Sequence, residues 1–352
     1  MRKGVGSLWR PRVFVIAKTM TPKTPDPVSA GCEVQPREIE QAAAILRAGG
    51  LVAFPTETVY GLGADADSEA AVRKLFAAKG RPADHPVIVH LGDAQEITGW
   101  AELIPELAWR LAVKYWPGPL TLILPRTSRA KDVVTGGLAT VGLRVPSHPV
   151  ARALLRAFGG AIAAPSANRF GRVSPTRAEH VREEFEDELP FILDGGICEV
   201  GLESTIVDFS GDGPAILRPG AITREQVEAT CGQTLRSPQS TTTRFSGGLE
   251  SHYAPRALVE IVVPHELHSR ATELVNQGKK VAILGQPELT LPAGIELILL
   301  GSDAASQSRT LYAALRKVDE LGCDVVLACP PAPLGLGAAL LDRLQKAAGP
   351  RG

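Results

Sequence analysis

At 352 residues the chain is too long for one comfortable core, and two domains are expected. Its 44% hydrophobic and 22% charged residues are ordinary for a soluble globular protein, and no apolar run approaches bilayer-spanning length. Lys plus Arg and Asp plus Glu number 38 each, which argues against a general polyanion binder but leaves room for a local basic patch.

The first 25 residues carry Arg2, Lys3, Arg10, Arg12, Lys18 and Lys23 and no acid. Their apolar run, Val13 to Ala17, is too short for a secretory core. A transit peptide, a tail, or a start misassigned upstream of Met20 would each give this pattern. A tail or misassigned start is favoured, with residues 1–30 expected to be a disordered extension.

Pro36 to Leu46 reads as a helix, with Pro near its start and Gly49-Gly50 as its stop. Leu51 to Phe54 is a buried strand ended by Pro55. Hydroxyls follow at Thr56, Thr58 and Tyr60, then Gly61 and Gly63, read as a turn. Ser68 is placed to cap a helix whose Ala71, Val72, Leu75 and Phe76 share one face. That helix delivers Lys79 and Arg81 into a loop fenced by Pro82 and Pro86, and Val87 to Val89 start a strand ending at His90. Cations, a histidine and hydroxyls thus meet at strand ends, where open α/β sheets put ligands. Lys supplies a point charge and Arg a bidentate fork, a common pairing for polyphosphate or carboxylate. Solvated surface cations are the competing reading.

Pro105 to Trp116 is a further amphipathic helix, Leu120 to Leu124 a strand, and Trp109 and Trp116 core or lid aromatics. Thr140 to Pro146 holds a strand in which Arg144 either faces solvent or meets an anion. Pro149 to Phe158 is a helix, and Ala161 to Ala164 is a small-residue strand leading into APSANRFGRVSPT. Phe191 to Leu193 and Ser204 to Phe209 are short strands, followed by Leu217-Arg218-Pro219-Gly220 and a helix from Thr223 to Thr230. Short strands with mixed connections predict a mixed twisted sheet carrying helices. The Ser/Thr/Gln/Pro/Gly-rich stretch after Gly232 marks a linker closed by His252-Tyr253-Ala254-Pro255. Strands at Val259 to Val263, Val281 to Leu284, Ile295 to Leu300 and Val325 to Ala328 alternate with helices at Glu266 to Val275, Ser302 to Leu321 and Gly337 to Ala347. That alternation predicts a small parallel α/β domain.

The five cysteines include no CxxC pair, so zinc or a disulfide framework is not expected, and a reducing compartment, the cytoplasm, fits. HELH at 265–268 lacks the spacing of a zinc protease, and no GxxxxGK[ST] loop, GxSxG elbow or third glycine of a dinucleotide fingerprint is found. Cations and hydroxyls remain, an inventory suited to transfer at a phosphate by positioning and charge neutralisation.

From about residue 34 onward the chain resembles the threonylcarbamoyl-AMP synthase family in its two-domain form. The motifs carrying the resemblance, in order, are FPTETVYGLGADA, KGRPADHPVIVHL, WPGPLTLIL, TVGLRVPSHP, APSAN, SPT, DGG, GLESTIVD, LRPG and HYAP. The resemblance implies an α/β fold: a YrdC-like catalytic domain at 31–232, a linker crossing the active site at 233–255, and a Rossmann-like parallel domain at 256–352. It implies synthesis of threonylcarbamoyl-AMP and pyrophosphate from L-threonine, bicarbonate or CO2, and ATP. The product would pass to the tRNA threonylcarbamoyl-transfer machinery for the t6A base, leaving room for a weak tRNA contact and none for a membrane. By the same resemblance Lys79, Arg81, Ser166 and Asn168 would be catalytic. Arg81, His85, Thr140, Ser166, Ser174, Arg218 and Tyr253 would bind ATP, His85 standing where many relatives have Asn. Thr58, His90, Arg144, Ala164 and Ser204 would recognise threonine. Mg2+ is expected with the triphosphate, and no protein ligand for it is assignable. Before HYAP stand Gly247, Gly248, Leu249 and Glu250 where the family usually has Pro-Gly-Met and basic residues, a departure that leaves a looser lid or weaker nucleotide closure as an open question. The alternatives are a non-catalytic RNA-binding module of the same fold, a carbamoyl-transfer enzyme, and an independent nucleotide-binding regulator in the C-terminal part.

Overall fold

The computed structural model describes residues 12–15 (backbone alone), 34–188, 191–236, 244–285, 291 and 294–350. In chain order the elements are β1 (Arg12–Val15), α1 (Pro36–Arg47), β2 (Val52–Phe54), β3 (Gly61–Asp65), α2 (Glu69–Lys79), β4 (Ile88–His90), α3 (Ile97–Trp100) and α4 (Glu106–Tyr115). There follow β5 (Leu120–Pro125), α5 (Asp132–Thr135), β6 (Thr140–Arg144), α6 (Pro149–Phe158), β7 (Ile162–Ala163), α7 (Ala178–Phe185), β8 (Thr205–Asp208), β9 (Ala215–Arg218) and α8 (Arg224–Cys231). The C-terminal part adds β10 (Leu258–Ile261), α9 (Leu267–Asn276), β11 (Val281–Gly285), β12 (Glu296–Leu299), α10 (Ala304–Glu320), β13 (Val325–Ala328) and α11 (Leu336–Ala347).

Strands β2 to β9 form one sheet in the order β2-β3-β7-β4-β6-β5-β8-β9. Pairs β4–β6 and β5–β8 run parallel and the others antiparallel. The mixed sheet expected from short strands and unequal connections is therefore found. The second sheet, β1-β12-β11-β13-β10, is parallel throughout.

Helix α2 forms as its sequence dictates: Ser68 Oγ accepts from the Ala71 amide at 3.3 Å, and Gly80 ends it at φ +61. Ala71, Val72, Leu75 and Phe76 are buried beneath it. Burying Leu75 or Phe76 contributes about 1.5–3 kcal/mol each, and this anchorage fixes where Lys79 emerges. α1 and α6 cover the sheet with Leu46, Leu154 and Leu155, which pack on Phe54 and Ile162.

Three expectations need correction. Gly61 and Gly63 are not a turn but part of β3, paired with β2. A Cβ on Gly63 would lie 2.8 Å from both Ile162 and Phe54 atoms, so glycine here serves close packing. Phe191 to Leu193 contributes an isolated bridge, Ala53 to Ile192, rather than a strand. The disordered extension does not hold at Arg12–Val15, which pairs in parallel with β12 as the edge of the second sheet. An apolar stretch beside the open edge of β12 completes that edge's hydrogen bonds. The other calls on residues 1–30 lie outside the described residues. Among the described residues no helix is long and apolar enough to cross a membrane.

The two sheets share packing. One buried cluster joins Val59, Val173, Leu202 and Tyr253 to Leu311, Tyr312, Leu315 and Leu340 of α10 and α11.

Candidate active site

A cleft of about 580 Å³ opens where the first sheet's strand ends meet the linker. The loop after β2 supplies Thr58, whose Oγ1 lies 2.7 Å from Thr56 Oγ1. Thr56 is itself fixed by donating to the Val59 carbonyl at 2.6 Å. The C-terminus of α2 brings Lys79, and the following loop Arg81. β4 ends in His90, β6 in Arg144, and β9 in Arg218. Ala164, Ser166 and Asn168 follow β7, and Ser204 precedes β8.

Lys79 ties two of these loops together. Its ammonium, 2% exposed, donates to the Ser166 carbonyl at 2.6 Å and also to the Asn168 carbonyl. Burial, then repulsion from Arg81, pushes its pKa well below the ordinary lysine range. Two of its three N–H groups are thus engaged. Arg81 Nη2 donates to the Pro86 carbonyl at 2.7 Å, and its guanidinium stacks 5.6 Å over the Phe170 ring. Burial lowers its pKa to about 10, which leaves it charged at neutrality.

Arg144 stands 2.7 Å from Glu57 Oε1, both side chains nearly buried. The atoms lie within ion-pair distance but off the hydrogen-bond direction, so Glu57 Oε1 and Arg144 Nη2 have no hydrogen-bond partner. His90 is held neutral: burial, then Arg144, lowers its pKa to about 3. Arg218 donates from Nε to the Ser204 carbonyl and from Nη2 to Ser204 Oγ, each at 3.0 Å. Ser204 Oγ also lies 2.7 Å from Thr121 Oγ1.

The linker roofs the cleft with Ser246, Gly247, His252 and Tyr253. Several contacts hold this roof in place. Arg218 Nη1 holds the Ser246 carbonyl at 2.8 Å, Arg244 pairs with Asp84, and the His252 amide donates to the Lys346 carbonyl at 3.1 Å. Gly247 sits at φ +82, and a Cβ there would fall 2.2 Å from Tyr253 Oη. Glycine is what lets the roof close on the tyrosine. Tyr253 adopts φ 61, rare for a non-glycine residue.

Three expected residues lie elsewhere. His85 sits outside the cleft wall, its ring edge-on to Phe170 at 5.3 Å. Thr140 lines an adjoining pocket of about 330 Å³ with Pro86, Gly142 and Phe245; the two cavities share Ile88 and Ser246. Ser174 is buried and donates to Glu203 Oε1 at 2.6 Å. Sequence reasoning missed Glu57, Phe170, Glu203 and His252 as residues of the site. Glu57 and Glu203 stand inside quoted motifs, yet only contacts across the fold reveal what they hold.

Among the described residues, twelve carry buried side-chain N or O atoms without a hydrogen-bond partner. Six of these line this cleft: Arg81, His90, Arg144, Asn168, His252 and Tyr253. Unpaired buried polar atoms are costly, and their concentration in one cavity marks a ligand site. Groups of three or more acids, histidines or cysteines able to hold a metal ion are absent among the described residues.

Residues 44–220 match a Sua5/YciO/YrdC family model described as "Telomere recombination", and 222–349 match one described as "Threonylcarbamoyl-AMP synthase, C-terminal domain". Threonylcarbamoyl-AMP synthase of Pyrococcus abyssi is 42% identical, covering 89% of this chain and 95% of its own. The synthase of Bacillus subtilis is 41% identical, with 89% and 94% covered. A crystal structure of Pyrococcus abyssi Sua5 complexed with L-threonine superposes with TM-score 0.85 at 41% identity, over 89% of this chain and 95% of that one. The chain therefore belongs to the threonylcarbamoyl-AMP synthase family.

Proposed function

We propose that this cleft makes threonylcarbamoyl-AMP from L-threonine, bicarbonate or CO2, and ATP. The observation carrying this reading is the Lys79 ammonium on the Ser166 and Asn168 carbonyls, which makes the lysine–arginine loop and the Ser-Ala-Asn loop one cationic wall. Threonine's neutral amine first bonds to the carbon of CO2, the electrons of one C–O π bond moving to oxygen and the amine proton passing to water, which gives N-carboxy-threonine. An oxygen of the new N-carboxylate then bonds to the α-phosphorus of ATP as the bond from that phosphorus to the α,β-bridging oxygen breaks. That bond's electron pair leaves with pyrophosphate.

Each residue has one job in this reading. The remaining Lys79 donor and the Arg81 guanidinium hold the triphosphate and offset charge growing on the leaving group. Ser166, Asn168 and Arg218 line the nucleotide path, with Tyr253 above it. The nucleoside extends into the adjoining apolar pocket at Thr140, with His85 and Ser174 supporting the site from outside. Arg144 meets the threonine carboxylate while Glu57 steadies its guanidinium from the far side. Thr58, neutral His90, Ala164 and Ser204 shape the rest of the threonine subsite.

Mg2+ accompanies the nucleotide in this reading. The residues present do not form a protein cage for it: the acids at hand, Glu57 and Glu203, are engaged by Arg144 and Arg343. The ion would be held by phosphate oxygens and water, as it prefers, and no step is assigned to it. The product then passes to the tRNA threonylcarbamoyl-transfer machinery in the cytoplasm. Labelled bicarbonate tests the reading: label must appear in an adenylate that contains threonine. An enzyme that binds RNA with steep salt dependence and makes no such adenylate would instead be the RNA-binding module.

A further inference from the structure

The wall carrying Ser204 and Arg218 is held from behind by the C-terminal domain. Glu203, next to Ser204, is 6% exposed, and three donors satisfy its carboxylate. They are Ser174 Oγ at 2.6 Å, Tyr312 Oη at 2.7 Å and Arg343 Nε at 2.8 Å. Tyr312 comes from α10 and Arg343 from α11. Arg343 is fully buried, and its Nη2 also donates to the Pro219 carbonyl at 3.1 Å. One guanidinium therefore grips the chain neighbour of Ser204 and the chain neighbour of Arg218.

Those two cleft residues are already tied to each other through both Arg218–Ser204 hydrogen bonds. Close approach of α10 is built in. Gly201 sits at φ +77, and a Cβ there would lie 2.5 Å from the Ser308 carbonyl oxygen. Arg316 of α10 donates to the Val173 carbonyl at 2.5 Å, beside Ser174. Apolar residues would join two domains at lower desolvation cost than a buried Arg–Glu pair. What they lack is a directional donor for a chosen oxygen, and that is what Tyr312 and Arg343 supply.

We propose that Tyr312 and Arg343 are positioning residues of the synthase site, acting through Glu203 and Pro219 to aim Ser204 and Arg218 at the substrates. The C-terminal domain thus completes the geometry of a cleft whose described lining it does not enter. This rests on reading the cleft as the synthase site.

The test is steady-state pyrophosphate release by full-length Tyr312→Phe, Glu203→Gln and the double variant, with thermal unfolding followed in parallel. Tyr312→Phe keeps the ring and removes one hydrogen bond to a charge. A roughly tenfold rise in KM for ATP and threonine is expected, with kcat changed less. A purely structural role would instead lower apparent kcat through lost folded enzyme and leave KM alone. In the Glu203→Gln background, Tyr312→Phe should change KM by less than about twofold. Should Tyr312→Phe not fold, Arg343→Lys, which keeps charge but loses the reach to Pro219, is read by the same KM rise. Unchanged KM in folded variants, or equal Tyr312→Phe effects in both backgrounds, overturns the proposal. A wild-type chain that releases no pyrophosphate overturns the synthase reading itself, and the positioning proposal with it.

Discussion

Lys79→Met is the perturbation whose consequences the structure specifies most fully. Methionine keeps the apolar stem and deletes the ammonium. The Ser166 and Asn168 carbonyls then lose a buried donor. The Ser166 carbonyl keeps the Asn168 amide at 3.0 Å, so the Asn168 carbonyl is the acceptor left unsatisfied, at a cost of about 1–3 kcal/mol. Part of this is recovered, because the folded state no longer buries a cation whose charged form is already disfavoured by burial and by Arg81. A net stability loss of about 1–2 kcal/mol follows, small enough for a folded variant at moderate temperature. Catalysis should suffer more. Losing one preorganised charge that stabilises the transition state costs about 3–4 kcal/mol, or about a hundredfold to a thousandfold in rate. Saturating ATP, threonine and bicarbonate, with pyrophosphate measured well below Tm, separates rate from folding. Pyrophosphate release within about threefold of wild type by folded Lys79→Met would refute the role given to this cation.

The remaining expectations are more compact. Arg144→Gln should raise the threonine KM more than the ATP KM; the reverse, read from initial rates, would reassign Arg144. Gly247→Ala puts a Cβ 2.2 Å from Tyr253 Oη at φ +82. It should cost about 1 kcal/mol or more of stability and weaken ATP binding, whereas unchanged ATP affinity by calorimetry would dissociate the roof from the nucleotide. Stability should fall in acid through two routes. His90 and His252, lowered to about 3 chiefly by burial, refuse protons that the unfolded chain takes up below about 6.5. For Glu203, burial would raise its pKa, but Arg343, Arg218 and Ser174 reverse this and hold it at about 2. Its contribution is full above about 4.5 and lost as pH falls towards 2. A Tm that stays flat from pH 7 to pH 4 would contradict the histidine route, and one that stays flat from about pH 4.5 down to pH 2 would contradict the glutamate route.

What the chain discloses depends on how local the cause is. Helix α2 is legible because its cap, its apolar stripe and its glycine stop all lie within the 13 residues from Ser68 to Gly80. Parallel strands β10 to β13 are legible from apolar runs between helices, since both their faces are covered. β3 is not legible locally, because its glycines signal a turn, whereas Gly63 answers Phe54 and Ile162 across the sheet. Motifs name eleven of the cleft residues, and these converge because the loops after β2, α2 and β7, the ends of β4, β6 and β9, the start of β8 and the linker all meet there. Ser174 could not be read so: its hydroxyl serves Glu203, 29 positions away. Tyr312 and Arg343 meet Glu203 across 109 and 140 positions, on helices whose own patterns say only that they are amphipathic. Edge pairing of Arg12–Val15 with β12 is more remote still in sequence.

Incubation of the full chain with ATP, bicarbonate and L-threonine, each omitted in turn, tests the central claim most directly. Pyrophosphate should appear when all three are present and fall to background when any one is missing. Release that continues without threonine or bicarbonate, or none from the complete mixture, would contradict an adenylate donor and an amino acid sharing this cleft.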